Sequence, residues 1–250
     1  MKRTADQASY EVKSLIAPHP RLALPLLRWR GHRGHGEPVG PDTDVVIEGY
    51  PRSGNNFAVV AFRQAQLRAM RIAHHTHAPA TVIAAIRRSI PAVVLVREPE
   101  DAVLEFVIRR PSLSIVGALR GYLRFYEPLI PHRDRFVVGS FSEITTDFGA
   151  VIRRLNQRFG SAFMEFDHTV EHVQAAFQAI EQHYRSLYDD DRFELVVARP
   201  SSERDRMRDV LRPEYRARTP EQLRARARAL YEQLADEAGS PGRVSADAAS

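Results

Sequence analysis

The sequence contains no cysteine among its 250 residues. This absence excludes disulfide bonds, a thiolate nucleophile, zinc held by thiolates and iron–sulfur clusters. Long apolar runs are missing too: none approaches the roughly 18 residues that cross a bilayer, and residues 1–10 lack the apolar segment of a signal peptide. We therefore expect a cytoplasmic protein without a membrane span.

Lysine is nearly absent. Lys2 and Lys13 are the only lysines among 36 basic residues, which outnumber 31 acidic residues and give a net charge of +5. This charge favours an anionic ligand. In the body of the chain, a phosphate or sulfate site must therefore use arginine, backbone amides or histidine. No basic stripe with interleaved aromatic residues is present, so we do not expect nucleic-acid binding.

Composition divides the chain into three segments. Proline and glycine interrupt residues 1–42, which predicts an irregular lead-in. Residues 43–238 are predicted to form a single domain, since a chain with 44% hydrophobic residues can bury a large core. Residues 239–250 are small and polar, and we expect a disordered tail. The sequence does not indicate an oligomeric state.

Short β-branched runs alternate with helical patterns in the predicted domain. Val45–Glu48, Ala92–Val96 and Phe136–Val138 are each followed by a segment with helical periodicity, and Phe193–Val197 is predicted as a late strand. Strands that alternate with helices are joined by right-handed crossovers. The predicted fold class is therefore α/β, with a mainly parallel central sheet and helices on both faces.

The loop after the first predicted strand carries the strongest signal. Gly49–Phe57 joins that strand to a helical pattern, so its amides and the helix dipole can meet one phosphate or sulfate group. Gly49 and Gly54 have the spacing of a nucleotide P-loop, but Asn55 and Asn56 replace its Lys and Ser/Thr. Arg97 also stands where a magnesium ligand would end a neighbouring strand. The loop thus fits an anion without magnesium, and we expect no metal.

This loop resembles the first signature of the sulfotransferases that use 3′-phosphoadenosine 5′-phosphosulfate (PAPS). That signature reads Tyr-Pro-Lys/Arg-Ser-Gly-Asn/Thr-Thr-Trp and is similar to Tyr50–Phe57. The resemblance implies a P-loop-like fold, with Arg52 between the 5′-phosphate and the transferring sulfuryl group and Phe57 against the adenine. The further donors that it implies are Ser53, Gly54, Asn55 and Asn56.

Three later segments resemble other parts of the same family, in the same order. His75–Pro79 is similar to Lys-Thr-His-x-Pro, which implies that His77 is the general base, a role suited to an imidazole with a pKa of about 6.5. Arg97 is similar to the arginine that holds the 3′-phosphate, although Glu105 replaces the serine that follows it. Phe141 begins a segment similar to Tyr-Glu-Asp-Leu and is implied to flank the adenine.

The arginines and Glu105 have simpler explanations too. Arg97 could form an ion pair with Glu100 or Asp101, and we expect Glu105 to turn away from a bound phosphate or to pair with Arg109 or another cation. The late arginines alternate with acidic residues, and we interpret them as solvated helix faces. Arg199 or Arg204 could instead reach the 3′-phosphate.

The sequence predicts transfer of the sulfuryl group from PAPS to a hydroxyl or amine of a small-molecule or glycan acceptor. His77 acts as the general base, and Arg52 and the loop amides stabilise the transfer. Two alternatives stay open. Glu105, Phe57 and Phe141, which replace the family's Ser, Trp and Tyr, suit a nucleotide- or polyanion-binding protein without transfer activity. A P-loop kinase is disfavoured, because the Lys, the Ser/Thr and the carboxylate that it needs are missing.

Overall fold

The structure, a computed structural model, describes residues 2–31 and 36–236. Its helices and strands follow in chain order. They are α1 (Lys2–Ile16), α2 (Pro20–Gly31), β1 (Val45–Gly49), α3 (Asn55–Ala65), β2 (Ile72–His74), α4 (Pro79–Arg87), β3 (Ala92–Val96), α5 (Pro99–Arg109), α6 (Ile115–Tyr126), a 3₁₀ helix (Glu127–Arg135), β4 (Val137–Ser140), α7 (Phe141–Thr146), α8 (Phe148–Phe159), α9 (Val170–Arg185), α10 (Asp190–Val196), α11 (Ser202–Arg218) and α12 (Glu221–Ala235).

The four strands form one parallel sheet in the order β2-β1-β3-β4. The central pair is in register with Val46 opposite Ala92 and Glu48 opposite Val94. Because every strand runs in the same direction, the carboxyl ends of all four strands lie at one edge of the sheet. The predicted α/β class with a parallel central sheet is confirmed.

Side chains alternate across the sheet and divide the core into two layers. Val46 packs with α4, α5, α6 and α12 on one face, whereas Val45 and Ile47 pack with α3, α8 and α9 on the other. Strands covered on both faces are expected to be mostly apolar, and here the polar residues are Glu48 in β1 and the last residues of β2 and β4, His74 and Ser140. The prediction of helices on both faces is confirmed.

The prediction of irregular structure in residues 1–42 is wrong for much of its described part. α1 and α2 occupy most of this segment, because its prolines fall mainly where helices tolerate them. Pro18 lies in the turn between the two helices and Pro20 begins α2, where a missing N–H costs nothing. Only Pro25 lies inside α2.

Polar contacts fix α1 against the domain. Asp6 pairs with Arg110 just after α5, and Glu11 pairs with Arg124 on α6. These pairs join residues about a hundred positions apart, so the N-terminal helices are part of the folded unit rather than a loose lead-in.

The late strand predicted at Phe193–Val197 is also wrong, because these residues belong largely to α10. Phe193, Val196 and Val197 are all buried in the layer that α3 and α9 cover. Their spacing of three and four residues is helical rather than alternating, and it outweighs the strand preference of the two valines.

Two expectations concern the membrane and the tail. Among residues 2–31 and 36–236, no helix is long and apolar enough to cross a bilayer. The tail predicted at residues 239–250 lies outside the described residues.

Candidate functional site

The loop between β1 and α3 begins with a close approach of two strands. A Cβ on Gly49 would lie 2.6 Å from the carbonyl oxygen of Leu95, so only glycine allows β1 and β3 to pack at this height. The chain then turns through left-handed conformations at Arg52 (φ 71°) and Gly54 (φ 92°). These turns bring the start of α3 to the carboxyl edge of the sheet.

The start of α3 presents backbone donors. The Ala58 amide makes the helix's first bond, to the Gly54 carbonyl at 3.0 Å, and Gly54 has no side chain to cap the preceding amides. Asn55, Asn56 and Phe57 carry those amides. Together with the helix dipole, such amides can donate to a phosphate or sulfate oxygen.

One cavity of about 950 Å³ brings most of the sequence-predicted site residues together. Those that line it are Arg52, Gly54, Asn55, Asn56, Phe57, His77, Arg97 and Phe141. Ser53 does not line it: its side chain is buried, with Oγ 3.3 Å from the Tyr126 hydroxyl, and its amide donates to the Tyr50 carbonyl at 3.2 Å. Ser53 thus supports the turn instead of facing the cavity.

Contacts with the rest of the fold hold the side chains of Asn55 and Phe57 in place. The side-chain Nδ2 of Asn55 donates a hydrogen bond to the Tyr50 carbonyl oxygen at 3.1 Å. The Phe57 ring is buried and lies edge-on to Phe166, with ring centres 6.0 Å apart, and 5.3 Å from Phe177. Phe57 therefore forms a fixed aromatic wall at one end of the cavity.

The buried carboxylate of Glu48 holds the loop that carries the histidines. It accepts hydrogen bonds from the Thr76 amide and hydroxyl, both at 2.7 Å, and from the His77 amide at 3.2 Å. These bonds hold a turn in which His75 and His77 adopt positive φ angles of 56° and 48°. Glu48 is not among the sequence-predicted site residues. A carboxylate at the end of the apolar run Val-Val-Ile nevertheless indicates a buried acid that needs hydrogen-bond partners.

His77 presents one basic nitrogen. Its Nδ1 lies 2.8 Å from the Gly49 carbonyl oxygen, which can only accept, so Nδ1 carries the hydrogen and Nε2 keeps a lone pair. Burial lowers the pKa of His77 to about 4, against the opposing effect of this hydrogen bond. The imidazole is therefore neutral at physiological pH and can accept a proton.

A hydrogen-bond chain sets the protonation of the neighbouring histidines. Arg63 Nη2, which can only donate, lies 2.9 Å from His74 Nε2, so His74 Nδ1 donates to His75 Nδ1 at 2.7 Å. The hydrogen of His75 is then on Nε2, which is buried and has no hydrogen-bond partner among the described residues. Other atoms of His75 line the cavity.

Arg97 extends from the end of β3 and lies over Phe141 at the end of β4. Its guanidinium is 4.1 Å from the Phe141 ring centre and donates to the Arg52 carbonyl oxygen at 3.1 Å. Glu100 and Asp101 both pair with Arg212. The alternative explanation of Arg97, an ion pair with one of these two acids, is therefore wrong.

Glu105 lies among three arginines at the wall of the cavity. Its carboxylate, with a side chain only 5% exposed, is 2.9 Å from Arg52 Nη2 and 3.4 Å from both Arg204 Nε and Arg208 Nη1. Burial raises its pKa, but the attraction of Arg52 and Arg204 outweighs burial and holds the pKa below the ordinary value. The expected pairing of Glu105 with a cation is confirmed, although Arg109 is not its partner.

Arg204 and Arg208 do not belong to a solvated helix face, so that interpretation is wrong for these two. They lie four residues apart on α11, one turn from each other, and both face Glu105. Arg199 pairs with Glu181 and Glu194 instead. The four-residue spacing of Arg204 and Arg208 indicates that they share one face of a helix. It does not indicate that this face meets a buried carboxylate.

The parallel sheet with helices on both faces and the glycine-containing loop between β1 and α3 define an α/β protein of P-loop-like architecture. Among solved structures, the mouse sulfotransferase SULT7A1 complexed with PAP is similar to this chain, with a TM-score of 0.43 and 12% sequence identity over 79% of this chain and 91% of that one. No family model matches the chain, and neither does any curated protein. Within the described residues, no group of three potential ligands could hold a metal ion.

Glu48→Gln should become more stable relative to the wild type as the pH rises. Burial raises the pKa of Glu48 from 4.5 to about 7, so between these values the folded wild type keeps a proton that the unfolded chain has released. Wild-type stability therefore falls as the pH rises through this window, by about 1.4 kcal/mol per unit of pKa difference, and the glutamine lacks this loss. Urea unfolding at several pH values measures the difference.

Glu37, which is exposed, provides the matched control. Glu37→Gln should follow the wild-type profile. A Glu48→Gln profile parallel to that of the wild type would show that Glu48 is charged throughout the window.

Proposed function

We propose that this protein is a sulfotransferase that moves the sulfuryl group of PAPS to a hydroxyl or amine of an acceptor. One observation carries the proposal: Asn55 and Asn56, which carry amides at the start of α3, line the same cavity as His77, whose Nε2 keeps a lone pair. Donors for an anion beside a neutral base are what the transfer of an anionic group to a hydroxyl requires.

In the proposed reaction, His77 Nε2 takes the acceptor's proton while the acceptor oxygen or nitrogen forms a bond to sulfur. The bond between sulfur and the bridging oxygen of the 5′-phosphate breaks, and its electrons stay on the phosphate, so adenosine 3′,5′-bisphosphate (PAP) leaves. The amides of Asn55 and Asn56, with Arg52, stabilise the charge that develops on the departing phosphate.

Arg97 and Phe141 are proposed to hold the nucleotide. They lie together at the ends of two adjacent strands, where a guanidinium can pair with the 3′-phosphate and a ring can flank the adenine.

An alternative function is nucleotide or polyanion binding without transfer, and the position of Arg52 favours it. The guanidinium pairs with Glu105 and also donates to the Val196 carbonyl at 3.1 Å. Arg52 can therefore meet a phosphosulfate only if it exchanges these partners. Tight PAP binding without transfer to any acceptor would support this alternative.

Calorimetric titration with PAP, AMP and ATP, with and without Mg²⁺, tests the donor site. We expect PAP to bind at least about tenfold tighter than AMP, because a charge-assisted contact to the 3′-phosphate contributes about 1.5–3 kcal/mol. Arg97→Ala should remove this preference, whereas the control Arg88→Ala, at an exposed arginine, should keep it. Silence toward PAP would reject PAPS as the donor, and a preference for Mg·ATP would favour the kinase.

His77→Ala should lower the rate of transfer by about 10²- to 10⁴-fold, the usual contribution of a general base, while PAP affinity stays unchanged. The measurement uses radiolabelled PAPS with a mixture of phenols, aliphatic alcohols and amines, and calorimetry for PAP. His172→Ala, at an exposed histidine of α9, is the control and should remain active. A fully active His77→Ala enzyme would remove His77 from the role of base.

Glu105→Ser should tighten PAP binding by about tenfold, because it frees three arginines from their internal carboxylate. The same change should lower stability by about 3–5 kcal/mol without ligand, since it leaves buried cations unpaired. Thermal unfolding with and without PAP measures both effects, with the exposed Glu203→Ser as the control. Weaker PAP binding by the folded variant would show that Glu105 positions Arg52 for the ligand.

A further inference from the structure

Helix α2 exposes an apolar stripe on its outer side. The α2 stripe consists of Leu22, Leu26 and Trp29, whose side chains are 61%, 37% and 59% exposed. Their spacing of four and three residues places them on one face, while Ala23 and Leu24 are buried on the opposite side. A helix at the surface of a globular protein normally has a polar outer face, so this one is unusual.

The preceding helix also exposes hydrophobic side chains. Val12 and Leu15 of α1 are exposed, so that α1 and α2 carry five of the eleven large hydrophobic side chains that the described residues expose. Single exposed hydrophobic residues are ordinary, but their concentration on two consecutive helices is not.

Cations border the α2 stripe. Arg21 and Arg28 are exposed and lie seven residues apart, and therefore on one flank of α2. An apolar face that includes a tryptophan and has arginine at its side is the composition of helices that lie in the headgroup region of an anionic bilayer. A symmetric contact between two copies would instead bring these arginines close to their own equivalents.

The α2 stripe adjoins the candidate site. Leu26 belongs to the stripe and also lines the large cavity, together with Ala23 and Leu27 of α2 and Ala17 near the end of α1. The same cavity contains His77. The apolar lining on this side comes mainly from α2, whereas α1 also contributes Asp6, Lys13 and Ser14.

We propose that the α2 stripe docks this protein on the surface of an anionic lipid bilayer and that the acceptor is a hydroxyl- or amine-bearing lipid, which enters the cavity past Leu26. The acceptor half of this inference rests on the proposed sulfotransferase function, whereas the docking half does not. The lipid's apolar body would lie against Ala23, Leu26 and Leu27 of α2, with its polar end toward His77 Nε2.

The tryptophan itself reports the docking, since Trp29 is the single tryptophan of the chain. Vesicles of phosphatidylcholine with phosphatidylserine should shift its fluorescence to shorter wavelength, and brominated lipid should quench it. Leu22→Glu and Leu26→Glu should each weaken vesicle binding by about tenfold or more in co-sedimentation, because a leucine removed from the lipid loses its transfer free energy. Removing both arginines, as Arg21→Ala with Arg28→Ala, should weaken binding to the anionic vesicles only.

Leu67 provides the matched control, because it is 90% exposed and lies outside α1 and α2. Leu67→Glu should bind vesicles like the wild type, and unfolding midpoints show that each variant is folded. Wild-type protein that neither shifts its fluorescence nor sediments with vesicles would overturn the docking. So would equal losses at Leu67 and Leu22, or a stripe that drives only self-association in sedimentation velocity.

A separate experiment tests whether the acceptor is a lipid. Radiolabelled PAPS is incubated with vesicles that contain diacylglycerol and phosphatidylethanolamine, and label in the extracted lipid would support a lipid acceptor. Label found only on added soluble alcohols, phenols or amines would overturn it. Docking is measured without PAPS, so failure of PAP binding would reject the proposed function and leave the docking result standing.

Discussion

Parallel pairing of the four strands determines where every group of the candidate site lies. Since each strand ends at the same edge of the sheet, the segments that follow β1, β2, β3 and β4 meet there. These segments carry Arg52, His77, Arg97 and Phe141 in turn. A reversed strand would carry one of these groups to the opposite edge, so the direction of the strands is a requirement of the site as well as of the core.

Two buried carboxylates support this edge in opposite ways. Glu48 accepts hydrogen bonds from neutral donors, and without a cation among them burial raises its pKa to about 7. Glu105 faces guanidinium groups, which hold its pKa below the ordinary value. Glu48 therefore shapes a loop, whereas Glu105 allows Arg52, Arg204 and Arg208 to gather without a ligand. An incoming anion competes with a carboxylate already in place.

Local patterns allowed the sequence to predict the parallel sheet, the loop that joins β1 to a helix and most residues around the cavity. The positions of His77 and Arg97 follow from strand ends, which periodicity reveals. The contact of Glu105 with Arg204 joins residues about a hundred positions apart, and no pattern in either segment contains it. The prediction that Ser53 is a donor in the site is wrong for a different reason. A loop motif indicates the path of the backbone, but the contact with Tyr126 determines where the Ser53 side chain points.

The N-terminal helices connect the cavity to the protein's surface. Their inner residues close one end of the cavity, and the ion pair of Asp6 with Arg110 helps to fix them there. Neither role needs Leu22 or Trp29, which are 61% and 59% exposed. Exposed apolar surface costs about 25 cal/mol per Å² relative to burial, so folding alone gives no reason for an apolar outer face. Contact with a lipid surface would recover that free energy at the helix that also lines the cavity.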